Sequence, residues 1–144
     1  MFANLALGAV LISLTVVIHT AGLSLLAYWM ASIVGWFRLH RHYFGKTVAM
    51  MTTVLGLFAV HTVEVWLWAG AFVWVGVVEG FEDALYLSTV AFSTVGFGDV
   101  RANPEWRLFA ALESIDGFIL IGWSIAFLIA ASTRHGPFRS GEHF

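Results

Sequence analysis

Not one charged residue occurs between Met1 and Phe37. About 20 consecutive apolar residues cross a bilayer, so this stretch spans one with residues to spare. A water-soluble fold would have to bury all of it without a polar face. Two more runs repeat the constraint. Thr47 to Val78 carries only Glu64 and the titratable His61, and Leu108 to Thr133 carries only Glu113 and Asp116. Composition agrees: 60% of the 144 residues are hydrophobic and 11% are charged. Mean hydropathy is +0.85, well outside the range of soluble domains. The absence of cysteine excludes a disulfide framework, a thiolate metal site and a cysteine nucleophile.

The chain divides accordingly. Residues 1–37 form an N-terminal transmembrane helix. This run is far longer than the roughly 7–15 apolar residues of a signal peptide, and no basic residue precedes it. Residues 38–46 (RLHRHYFGK) are a basic linker, 47–78 and 106–133 are two further transmembrane helices, and 134–144 are a short polar tail. Between the last two spans, acidic borders at Glu79 to Asp83 and Asp99 to Glu105 enclose an apolar stretch of only 15 residues. As a helix, 83–93 would reach about 16 Å at ~1.5 Å per residue, half the hydrocarbon thickness, after which the chain must return. Non-helical backbone is tolerated at membrane depth only where it is buried in protein or lines a watery path, so the loop points to a pore. Arg38, Arg41, Lys46, Arg134 and Arg139 fall on one side of the membrane and only Arg101 and Arg107 on the other. That bias puts linker and tail in the cytoplasm and the N-terminus outside.

In Thr94-Val95-Gly96-Phe97-Gly98-Asp99, glycine alternates with side-chain-bearing residues. Glycine takes positive φ at little steric cost. If Gly96 and Gly98 do so while Val95 and Phe97 do not, successive carbonyls point to one side. Four copies around an axis then stack rings of oxygens that replace the hydration shell of a monovalent cation.

These residues resemble the signature of the potassium channel pore-loop family, T-V-G-Y/F-G-D. The resemblance runs upstream through Ala84-Leu85-Tyr86-Leu87-Ser88 and downstream to Trp106, and its pattern of span, pore helix, filter and span covers 47–133. It implies an all-α membrane protein in which outer helix 47–78, pore helix 83–93, filter 94–98 and inner helix 106–133 assemble as a homotetramer within lipid. Helix 1–37 lies outside the resemblance. By the same resemblance K+ is bound and transported at Thr94, Val95, Gly96 and Phe97, with side chains facing protein, Gly98 completing the filter and Asp99 at its exit. Phe97 stands where the family more often has tyrosine, and Val90 where some members carry a carboxylate partner for the aspartate. The chain is then a passive, potassium-selective channel and not an enzyme. It needs no cofactor beyond the ion, no nucleic acid and no soluble partner. A weakly selective cation channel is the alternative, with a non-conducting regulatory subunit or a haem protein ligated by His19 and His61 more remote.

Other residues bear on gating. Asp83 is read as the pore helix cap, favouring the positive dipole end, and Glu82 as an outer-face charge. Ionisable groups at membrane depth are expensive and mark function or pairing. Glu113 and Asp116, three apart, share a helix stripe and face either a cavity or a buried partner. Leu112-Glu113 followed by Gly117 is similar to the inner helix of prokaryotic inward rectifiers, where the glutamate supports the pore helix and the glycine bends. Gly122 is a second candidate hinge. His61 and Glu64, also three apart, form either a pH sensor or a satisfied polar pair. His19, in mid-span, reads as a packing residue. Trp36, Trp74 and Trp106 lie where interfacial belts are expected. There is no voltage-sensing arginine series, nucleotide fingerprint or calcium loop.

Overall fold

A computed structural model describes residues 1–36 and 43–135 of the chain. Most of the basic linker, with Arg38 and Arg41, lies outside the described residues, as do the tail from residue 136 and the side chains of Trp36 and Arg134. The described residues are all helix and loop: α1 Phe2–Trp36, α2 Tyr43–Val75, α3 Phe81–Phe92, a 3-10 turn Pro104–Trp106 and α4 Arg107–His135. Three segments are long and apolar enough to cross a bilayer, namely Phe2–Met30, Gly45–Val75 and Pro104–Thr133. At 12 residues, α3 reaches only about 18 Å at ~1.5 Å per residue and cannot cross.

Local chemistry sets the ends. Gly76 has φ 74, its amide donates to the Val73 carbonyl, and the next amide, Val77, donates back to Phe72 at 2.8 Å. This paired closure with a left-handed glycine ends α2 at Val75, three residues before the expected Val78. The loop after the filter clasps that turn: the Asn103 amide donates to Val77 O and its side chain to Gly76 O, both at 2.9 Å. Pro104, whose φ suits the first position of a helix, opens the turn leading into α4.

α1 packs against both α2 and α4, while α3 sits between α2 and α4. The centre of the bundle is aromatic. Trp68, Phe72 and Phe109 are fully enclosed, with ring centroids 5.2 Å (Trp68–Phe109), 5.6 Å (Phe72–Phe109) and 6.0 Å (Trp68–Phe72) apart. Trp106 joins them at 5.8 Å from Phe109, so it serves as core packing, whereas Trp74 is exposed as a belt residue would be. Along α1 the buried positions are 4, 8, 11, 15, 19, 23 and 30, one helical stripe.

Candidate ion-conduction site

The site begins at the pore helix. α3 carries Glu82 and Asp83 in its first turn, where carboxylates oppose the positive end of the helix dipole. Asp83 is nevertheless not the cap. Gly80, at φ 86, occupies that position and no side chain caps the helix. A residue already inside the first turn has helical backbone angles and cannot take the extended conformation of a cap. The helix therefore spans 81–92, not 83–93.

At its other end α3 turns directly into the filter. The Thr94 amide donates to Ala91 O at 2.9 Å, and the Val95 and Gly96 amides both donate to Val90 O, at 3.1 and 3.3 Å. Gly96 and Gly98 have φ 60 and 76, while Val95 and Phe97 stay out of the positive region. Thr94 is also left-handed, at φ 60. For a β-branched residue that conformation is an outlier worth about 1–3 kcal/mol, sustained by the hydrogen bonds on either side of it. Among the described residues no donor reaches the carbonyls of Thr94, Val95, Gly96 or Phe97. Within one chain Val95 and Phe97 are 54% and 72% exposed, so the protein that their side chains are expected to face is not this chain.

The exit is braced by a residue that the sequence reading left without a role. Tyr86 donates its hydroxyl to Asp99 Oδ2 at 2.7 Å, supplying from one helical turn earlier the partner missing at Val90. The Val100 amide donates to Oδ1 at 3.0 Å. The Tyr86 bond first, and the Val100 amide with it, hold the Asp99 carboxyl below the usual carboxylate range. Arg101 Nε donates to Gly98 O at 2.8 Å, tying the last filter carbonyl to the outer loop. The hint in the sequence was Tyr86 itself, four residues before Val90 and so on the same helix face.

Behind the filter Glu64, Glu113 and Asp116 each meet at least one partner, while Glu113 Oε2 is buried without one. Glu113 is enclosed and accepts from the Ser88 hydroxyl of the pore helix, which also lies 2.8 Å from Val65 O. Asp116 is not a cavity charge. Its Oδ2 accepts from Thr15 Oγ1 at 2.7 Å and Trp68 Nε1 at 3.0 Å, deep between α1, α2 and α4. A carboxylate in hydrocarbon has to find donors, and two neighbouring helices supply them. Gly117 serves close approach: a β-carbon there would strike the backbone carbonyl of Phe92, the last residue of α3. Gly122 has open space around it. Glu64 contacts His61 Nδ1 at 2.9 Å through one oxygen and His19 Nδ1 at 2.9 Å through the other. His19 is thus part of a polar cluster rather than plain packing. With ring centroids 5.4 Å apart and Glu64 shared between them, His19 and His61 leave no room for a porphyrin.

Three crossing helices and a short re-entrant helix that delivers bare carbonyls to the bundle's edge define a multi-pass membrane protein of the ion-channel class. Residues 44–134 match the family model described as Ion channel. The match spans well over half of the chain, which therefore belongs to this ion channel family, and α1 precedes the matched region. Comparison with curated proteins and with solved structures finds no match.

Proposed function

We propose that the chain conducts potassium passively as a homotetramer, through a filter built from Thr94, Val95, Gly96, Phe97 and Gly98. The observation carrying this reading is the alternation of positive φ at Gly96 and Gly98 along four carbonyls that no donor among the described residues occupies. One loop cannot surround an ion, whereas four can, and dehydrating a monovalent cation takes stacked oxygen rings. The exposed Val95 and Phe97 side chains need neighbouring subunits to cover them. The C-terminal end of α3, the negative end of its dipole, lies at the inner end of the filter and favours a cation there. Glu113 and Gly117 support the pore helix from α4 through Ser88 and Phe92.

The distribution of basic residues favours the cell membrane with the N-terminus outside and the C-terminus in the cytoplasm. A weakly selective monovalent cation channel is the second reading. What favours it is an exit braced by one exposed phenol–carboxylate bond beside a Phe97 that has no hydroxyl.

The test compares wild type with Gly96→Ala in liposomes. Added alone, the β-carbon meets no neighbour, but it opposes positive φ by about 1–2 kcal/mol at each of four subunits. Potassium flux is expected in the wild type and background flux in a variant that still assembles. Undiminished flux through the variant would remove the filter from its role.

A further inference from the structure

Away from the filter, three titratable side chains meet between the helices. His19 of α1 and Glu64 of α2 are wholly enclosed, and His61 is 20% exposed. Each imidazole places Nδ1 2.9 Å from a different oxygen of Glu64. One ligand atom from each of the three lies within 4.8 Å of the other two. The Ser124 hydroxyl of α4 meets His61 Nε2 at 2.9 Å, while His19 Nε2 is buried with no partner. Two aromatic rings border the cluster, Trp123 5.3 Å from the His19 ring and Phe92 5.6 Å from the His61 ring, and the Asp116 carboxyl lies within electrostatic reach of Glu64 and His19.

We infer that His19, Glu64 and His61 form a binding site for one divalent transition-metal ion, of which zinc is the probe. The inference does not rest on the selectivity of the filter. Two imidazoles and a carboxylate are the donor set of three-ligand zinc sites, which keep a fourth position open. With both imidazoles neutral the cluster carries a net charge of −1 in the hydrocarbon region, and no lysine or arginine pairs with it among the described residues. A dication provides that counter-charge.

The nitrogens are suited to the role. A metal taking the place of the protons between Nδ1 and Glu64 would leave each ring protonated on Nε2, with both Nδ1 lone pairs free to ligate. For His61 the Nε2 proton is then donated to Ser124, the kind of outer partner that fixes the tautomer of a metal-bound histidine. His19 Nε2 is buried without a partner, so its tautomer is set from the Nδ1 side alone. A buried nitrogen left unpaired is costly, and plain packing would avoid it with an apolar residue. Entry is available as well. His61 borders a cavity of about 380 Å³ that extends along α3 past Thr89, Phe92 and Ser93. Ligation would pin α1 to α2, and through the ring contact of His61 with Phe92 it would bear on the residue from which the filter departs.

The test uses the full chain, stripped with a chelator, in nanodiscs. The other four histidines, His40, His42, His135 and His143, are replaced by asparagine so that His19 and His61 supply the only imidazoles. Zinc titration is expected to give one ion per chain, with affinity reduced more than about 100-fold in His19→Asn and in Glu64→Gln, beyond the 10–100-fold typical of outer-shell changes. Because either variant could lose its fold, Co2+ is bound to the unaltered cluster in parallel. Visible ligand-field absorption of low-symmetry, nitrogen-containing coordination is expected there. Binding that the folded variants leave intact, or the lack of stoichiometric binding together with the lack of a cobalt band, overturns the site. So does an outcome in which only protons titrate the cluster.

Discussion

α1 and the filter segment are held in opposite ways. The filter is exposed in a single chain and fixed by backbone hydrogen bonds to the end of α3, with Tyr86 and Arg101 tethering its outer end. α1 lies outside the matched family region yet is fixed by buried side chains. Asn4 donates to Glu105 O at 3.0 Å and accepts from the Phe109 amide at 3.2 Å, Thr15 reaches Asp116, and His19 reaches Glu64. Among the described residues no donor meets the carbonyls of Thr94 to Phe97, whereas Asn4, Thr15 and His19 of α1 turn polar atoms to the elements behind it. The difference teaches that the extra helix is wired into the pore domain at three depths, not appended to its rim.

The comparison can be broken most forcefully at the filter, where Gly96→Ala is expected to reduce potassium flux to the liposome background. Next is the joint between α4 and the pore helix. Gly117→Ala forces the Phe92 carbonyl aside, with an expected loss of about 1–3 kcal/mol, the usual range for overpacking. Thermal unfolding of the assembled protein and flux should both report it. Gly122→Ala, which meets open space, should change neither. If both alanines are silent, the pore helix is not seated on α4 as described.

The wiring of α1 predicts smaller effects. Thr15→Val removes one of the two donors to Asp116, and Asn4→Leu removes both long-range bonds at the start of α4. Interhelical hydrogen bonds in membranes are worth about 0.6 kcal/mol on average and up to ~1.7, so each variant should lower stability by that order. Flux per folded channel should persist. Loss of conduction without loss of stability would mean that α1 acts on the filter directly.

The smallest effect concerns pH. Because Tyr86 holds the Asp99 carboxyl below the usual range, its bond stabilises the charged form. That contribution is present above the unfolded carboxyl value of about 3.9 and is lost as pH falls through the lower folded value. Tyr86→Phe should therefore move any external acid titration of conductance to higher pH. A shift the other way would show that the phenol favours the neutral acid.

Much of this architecture could be read from the sequence. One charge-free run and two long apolar runs with one and two acids located the three spans, and the 15-residue apolar interval with its acidic borders located the re-entrant segment. What escaped was set by packing partners. Asp116 looked equally suited to a cavity or a buried pair, and only the meeting of α1, α2 and α4 brings Thr15 and Trp68 to it. Gly80 rather than Asp83 starts α3 because backbone angles choose the cap, and both residues fit the local pattern. In α1 nearly every position is apolar, so hydropathy shows no inward face. The face is marked instead by Asn4, Gly8, Thr15 and His19 at helical spacing.

The most direct test of the central claim is the reversal potential of the wild-type protein in a planar bilayer, with potassium on one side and sodium on the other. A reversal potential far toward the potassium equilibrium value is predicted from four free carbonyl rings. A value near zero, with sodium and potassium carried equally, would contradict it.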